Sequence, residues 1–211
     1  MPANYLALLV LPVLVLAGFL YQMGDESLFL WINTHLTPQY GEAATYFSLF
    51  GEAWGMLLVL FFSLALPFRN ALLVGLTWLT GACYSWLFKL WLLRGLPRPL
   101  KVFNEAGIKL NTVEGVKVHQ LNSFPSGHTL TAFSAAFVAL LIFQKLPDWA
   151  RLGLALLAAG CGFSRLLLAQ HWPSDVVGGA CLGILAAYTA WRLSLLFPKN
   201  EARLNTPIRN W

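Results

Sequence analysis

The chain has 211 residues, 58% of them hydrophobic and 11% charged, with a formal net charge of +5. Soluble domains carry about a quarter charged residues, so this chain lacks the polar surface of a water-soluble fold and needs a bilayer to cover it. The modest positive charge suits lipid headgroups or an acidic substrate, and no basic run is long enough to engage nucleic acid.

A spanning helix needs roughly 20 mostly apolar residues, and six stretches approach that length. The first, 5–23, has neither a positive leader nor a small-residue cleavage site and reads as a retained anchor. Residues 25–46 follow as an amphipathic helical segment, with Phe29, Trp31 and Leu36 suited to lying in the membrane interface. The second span, 47–68, is interrupted in its first turns by Glu52. The third covers 71–93 and leads into a long polar segment, 95–127. The remaining spans are 128–146, 150–170 and 176–197. Cys83, Cys161 and Cys181 fall in apolar stretches without disulfide or zinc spacing and read as small core residues. The expected architecture is all-α: one transmembrane domain over 1–211, built as a six-helix bundle with an interfacial segment between its first two spans.

Six spans put both termini on one side. Arg69, Lys145, Arg151, Lys199, Arg203 and Arg209 lie on that side, and the positive-inside rule assigns it to the cytoplasm. Lys101, Lys109 and Lys117 on the opposite loop pull the other way. Alternation then places three groups at one level on the opposite face. They are Lys89, Arg94 and Arg98 at the exit of the third span, Ser123-Phe-Pro-Ser-Gly-His128 at the start of the fourth, and Ser164-Arg165 with His171-Trp-Pro-Ser-Asp175 between the fifth and sixth.

Lys89, Arg98 and Arg165 would be costly to bury without anions, and among nearby residues only Asp175 and Glu52 offer negative charge. An anion with several acceptor oxygens, phosphate above all, would complete the group. Pro125 suits a first helical turn, so Ser126 and Gly127 can offer backbone N–H groups at the positive end of a helix. Asp175 lies one turn beyond His171 and can fix its tautomer. His128, across the phosphate, can deliver a proton to the departing oxygen.

These segments resemble the signatures of the type 2 phosphatidic acid phosphatase (PAP2) family. Pro125-Ser-Gly-His128 is similar to the second signature. Ser164-Arg, five residues, His171, three residues, Asp175 is similar to the third. Arg98-Pro99 resembles the end of the first, although eight residues separate Lys89 from Arg98 where the family has six. That spacing leaves either Lys89 or Arg94 to complete the motif. The resemblance implies a six-span bacterial lipid phosphatase in the inner membrane, with its active site on the periplasmic or extracellular side. In that scheme His171 attacks phosphorus to form a phosphohistidine and His128 protonates the leaving alkoxide. Lys89, Arg98, Ser126, Gly127 and Arg165 bind the phosphate, and no metal or other cofactor is expected. The catalytic core would run over about 71–197, with a headgroup loop over about 95–125.

The expected substrate is a phosphate or diphosphate monoester of a lipid, such as a polyprenyl diphosphate or a glycerolipid phosphate. A lipid A phosphatase, a phosphotransferase using the same phosphohistidine, a vanadate-dependent haloperoxidase and a non-catalytic lipid-binding or transport protein are the alternatives. A metal site on His128, His171 and Asp175 is opposed by the adjoining cations. His119 reads as a solvated loop residue within reach of a headgroup. Gly179 and Gly183 read as a packing face. Trp54, Trp149, Trp172 and Trp191 read as interfacial belts. Residue types alone leave the oligomeric state open.

Overall fold

Gly24, with a φ of 76°, turns the chain between α1 (Ala3–Met23) and α2 (Asp25–His35). The computed structural model describes residues 3–198 and 201–207, so Lys199 and Arg209 lie outside the described residues. α3 (Thr37–Phe50) and α4 (Ala53–Ser63) follow, then α5 (Phe68–Trp86), whose end widens into a π-helix over Leu87–Leu92. A short α6 (Pro99–Glu105) lies within the long loop. α7 (Gly127–Ile142), α8 (Asp148–Leu167) and α9 (Pro173–Ser194) complete the bundle, and a single turn, α10 (Ala202–Asn205), packs near α5.

The architecture is all-helical, with no strand among the described residues. Among the described residues, four helical stretches are long and apolar enough to cross a bilayer: Leu6–Met23, Phe68–Leu92, Asp148–Leu167 and Pro173–Ser194. α3 and α4 together qualify as a fifth, bent by 42°. α7 is apolar but only 16 residues long. It packs against α4, α5, α8 and α9, and Thr129 to Leu140 are almost all buried. Enclosure on every side explains why its sequence shows no polar face.

Two expectations need correction. The second span is not the straight helix expected over 47–68, because α3 starts at Thr37 and the path breaks at Gly51 and Glu52. Likewise, 25–46 is not one helix but is divided at Leu36 between α2 and α3. α2 buries Leu28, Phe29, Ile32 and Asn33, and α3 buries Thr37, Gly41, Ala44 and Ser48, chiefly against α8. Phe29 is fully buried, with its ring 5.7 Å from Phe103 and 5.5 Å from Trp172. It packs the fold, whereas Trp31 of the same helix stays exposed. Trp172, beside His171, is tied to the long loop, with its Nε1 donating to the Pro97 carbonyl at 2.9 Å.

The small-residue face of α9 performs as expected. A Cβ on Gly179 would lie 2.6 Å from the Ser126 carbonyl oxygen, and one on Gly183 would lie 2.4 Å from that of Leu130. Both distances are far inside van der Waals contact, so α7 and α9 cross at a separation only glycine permits. This crossing brings the start of α7 against the start of α9.

The polar loop is tied down at several points. Its ends meet through an isolated antiparallel bridge, Pro97 with Leu121, supported by Arg98 N donating to the Gln120 carbonyl at 2.8 Å. Its middle is held by Asn33, whose Oδ1 accepts from Asn111 N at 2.9 Å and whose Nδ2 donates to the Asn111 carbonyl at 2.8 Å.

Candidate active site

α9 begins at Pro173, whose missing N–H costs nothing in a first turn. Its N-terminus organises the site around one oxygen, Asp175 Oδ2. That atom accepts from Trp172 N at 2.9 Å, from His171 Nδ1 at 3.2 Å and from the Ser123 hydroxyl. With Nδ1 engaged by the carboxylate, His171 is left with Nε2 as its free nitrogen. His171 is 2% exposed and sits in the turn between α8 and α9. Burial holds its imidazole well below the ordinary range, and Arg98, Arg165 and Lys89 add to this by repulsion. These effects favour the neutral ring, the state in which Nε2 carries a lone pair.

A cavity of 480 Å³ opens in front of His171. Lys89, Arg98, Gly127, His128, Arg165 and His171, all expected site residues, line it together. Thus segments separated by more than 80 residues meet at one level. Asp175 stands behind His171 and is itself 3% exposed. Ser126 does not border the cavity. It is fully buried, its backbone N donates to the Asp175 carbonyl at 3.1 Å, and its hydroxyl caps α7 by accepting from Thr129. Its N–H is therefore already spent, and Gly127 and His128 are the members of that motif that face the cavity.

The three cations differ in what they have left to offer. Arg98 is largely committed to protein carbonyls: Nε to Leu121 at 2.9 Å, Nη1 to both the backbone and side-chain oxygens of Gln170, and Nη2 to Asn122 at 3.3 Å. Five N–H donors serve four bonds, so one remains for a ligand. Arg165 is also buried, donates through Nη1 to the Ser48 hydroxyl, and has a buried Nε with no partner. An orphaned guanidinium N–H in a closed setting is costly, and an oxyanion in the cavity would satisfy it.

Lys89 sits in the π-helical segment, and its Nζ lies 3.5 Å from where a Cβ on Gly127 would stand. Arg94 is exposed and outside the cavity lining. The wide turn absorbs extra residues between Lys89 and Arg98 while the ammonium still faces inward.

Sequence reasoning missed several cavity neighbours. Ser48 and Thr45 come from α3, where Thr45 was read as interfacial and Ser48 as the start of the second span. Gln170 both accepts from Arg98 and donates to the Lys117 carbonyl at 2.9 Å. Its place directly before His171 was the available signal. His119 and Lys117 also line the cavity, and His119 is an exposed loop residue at its mouth. Burial holds the His119 imidazole below its ordinary range, with Arg98, Lys117, Arg165 and Lys89 acting in the same sense.

A family model described as the PAP2 superfamily matches residues 70–198, more than half of the chain. The chain belongs to the PAP2 superfamily. The matched segment starts in the first turn of α5 and ends just beyond α9, so it encloses every residue named above as lining the cavity except Thr45 and Ser48. Among curated proteins, this PAP2 chain is 39% identical over 99 residues to the bacitracin transport permease protein BcrC of Bacillus licheniformis, covering 42% of this chain and 46% of that one. It is 39% identical over 84 residues to the lipid A 1-phosphatase of Porphyromonas gingivalis, covering 40% of this chain and 19% of that one. With phosphatidylglycerophosphatase B of Escherichia coli, identity is 28% over 219 residues, covering 87% and 84% of the two chains. The match thus spans less than half the length of the first two of these relatives.

Two solved structures share the fold. LpxE of Aquifex aeolicus superposes with a TM-score of 0.66 at 23% identity, over 80% of this chain and 94% of that one. A transmembrane PAP2-type phosphatidylglycerolphosphate phosphatase of Bacillus subtilis gives 0.64 at 22% identity, over 93% and 98%. The PAP2 chain is accordingly a membrane protein of this fold.

Proposed function

We propose that this protein is a membrane-bound lipid phosphatase that removes phosphate from a phosphate or diphosphate monoester of a lipid through a phosphohistidine. One observation carries the reading. Within a single cavity, His171, hydrogen-bonded to Asp175, lies with Lys89 and the buried Arg165, whose Nε lacks a partner. The cations lining the cavity outnumber its Glu52 carboxylate, so the arrangement supplies a nucleophile and a seat for a dianion.

In this scheme the phosphoryl oxygens accept from Arg165, Lys89, the remaining Arg98 N–H and the backbone around Gly127. The Nε2 lone pair of His171 forms a bond to phosphorus as the bond to the lipid oxygen breaks. His128 gives its proton to that oxygen. Asp175 balances the positive charge that develops on the His171 ring. A water molecule then attacks phosphorus, His128 takes its proton back, and the P–N bond breaks to release inorganic phosphate. Positioning and fixed positive charge provide the stabilisation, as in phosphoryl transfer generally, and no metal ion is needed in the chemical step.

The reading includes a placement in the membrane. The six expected spans correspond to α1, the bent α3–α4 pair, α5 with its π-helical end, α7, α8 and α9. The termini are assigned to the cytoplasm and the cavity to the outer face of the inner membrane. The chain acts as one domain over 1–211, with a catalytic core over about 71–197 and the loop of about 95–125 forming the cavity mouth. Lipid phosphates are favoured as substrates because the relatives named above include a lipid A 1-phosphatase and phosphatidylglycerophosphatase B.

The test is phosphate release by purified protein in detergent across a panel of lipid phosphates and diphosphates. Turnover of at least one that disappears in His171→Ala supports the reading. Turnover of none, or turnover indifferent to His171→Ala, overturns it.

A further inference from the structure

The break between α3 and α4 presses on the start of α7. A Cβ on Gly51 would lie 2.6 Å from the His128 carbonyl oxygen, 2.7 Å from His128 Cβ and 2.4 Å from Cys161 Sγ. Only glycine allows this approach. The next residue, Glu52, lines the cavity and brings Oε1 to 4.0 Å from His128 Nε2. The charged groups facing His128 are otherwise positive or imidazole: Arg165 from α8, His171 from the α8–α9 turn, Lys89 from the π-helix and Arg98 from the loop. Cys161 Sγ, also from α8, donates to the His128 carbonyl at 3.8 Å.

We propose that Glu52 is a positioning residue for the general acid, the counter-charge that allows His128 to carry a proton among these cations until the leaving oxygen takes it. This inference rests on the phosphatase reading above and adds to it the dependence on leaving group. At 4.0 Å the pair is beyond hydrogen-bond reach but well within Coulombic range. The Nε2–H is therefore stabilised by the carboxylate without being consumed by it, and stays free to reach the substrate. In the step, the proton moves from His128 Nε2 to the lipid oxygen as the P–O bond breaks. The imidazole is left neutral, and the water that cleaves the phosphohistidine returns a proton to it. An alkoxide needs that proton badly, whereas an aryl oxide departs more readily without it. Glu52 should therefore matter most for phosphate monoesters of alcohols.

The experiment compares wild type, Glu52→Gln and Glu52→Asp, purified in detergent, on an alkyl lipid phosphate and on p-nitrophenyl phosphate. General acids contribute about 10²–10⁴ to rate, and a half-exposed partner carries part of that. The expected result for Glu52→Gln is a ratio of alkyl to aryl kcat lowered about 5- to 10-fold. The alkaline limb of kcat on the alkyl substrate should move to lower pH, and Glu52→Asp should recover most of both. Equal losses on the two substrates, or a pH limb that does not move in a variant that melts like wild type, would overturn the role of Glu52. If Glu52→Gln fails to fold, Glu52→Ala, read by the same ratio and the same alkaline limb, decides between the same two outcomes. Failure of the phosphatase reading is separately visible, as absence of wild-type turnover or its persistence in His171→Ala.

Discussion

His171 and Asp175 act as one unit because the carboxylate is already crowded with donors before any substrate arrives. Three groups converge on Asp175 Oδ2, which fixes both the rotamer of the carboxylate and the tautomer of the ring. His171→Ala should abolish turnover, and His128→Ala should lower kcat on an alkyl phosphate by about 10²–10⁴, both measured by phosphate release. The pH dependence follows from burial. The folded chain keeps His171 neutral where the unfolded chain protonates at about 6.5, so His171 contributes stability fully above that pH and loses it as pH falls towards the lower folded value. Nucleophilicity survives over the same interval. The acid limb of kcat/KM, corrected for ionisation of the substrate, should therefore lie below about 6.5; a limb at or above that value contradicts a buried, neutral nucleophile. This pair was legible in the sequence because its spacing of four is local. Glu52 was visible only as a flaw in an apolar stretch, since its partner lies 76 residues away and no pattern in one chain announces such a contact.

At the scale of elements, the α7–α9 crossing controls whether the two histidines face one cavity. Gly183→Leu should force the helices apart at Leu130 and cost roughly 1–3 kcal/mol, the usual range for overpacking. Thermal unfolding in detergent measures it, and an unchanged melting temperature would show that the crossing tolerates a side chain. The π-helical end of α5 makes a second element-level prediction. Lys89→Ala should raise KM for a lipid phosphate about 10-fold or more, whereas Arg94→Ala should leave it within about twofold, since Arg94 is exposed and does not line the cavity. Equal effects would mean that the π-helix does not present Lys89 to the ligand. Helix periodicity placed α1, α5, α7, α8 and α9 correctly, because long apolar runs are direct consequences of burial or lipid contact. It did not disclose the packing of α2 and α3 on the protein, because a helix half-buried against protein and one half-buried in a membrane interface show the same alternation of apolar and polar faces. Phe29 illustrates the ambiguity: its partners Phe103 and Trp172 are distant in sequence.

For the whole molecule, the proposed placement puts the long loop and the 143–147 turn on opposite sides of the membrane. A membrane-impermeant thiol reagent applied to intact cells should label a cysteine at Lys117, but not one at Lys145, in a background lacking the native cysteines. The reverse pattern would invert the topology. Vanadate should inhibit the purified enzyme, and chelators should leave its rate within about twofold if fixed cations carry the charge stabilisation. Composition alone disclosed the bilayer, and motif order disclosed the common level of the site. The wall built by α2 and α3 was not disclosed, because it depends on the side-chain contacts Asn33 to Asn111 and Ser48 to Arg165.

Arg98 fastens both ends of the site's rim at once, reaching Leu121 and Asn122 on one side and Gln170 on the other. The rim also carries its own filling: between α6 and Lys117, Leu110 is buried with Phe29 and Phe103, and Asn111 is bonded to Asn33. Replacing that stretch wholesale should therefore loosen the Arg98 anchorage together with the cavity mouth, whereas its exposed positions, such as Lys109 and Glu114, can vary without disturbing the frame.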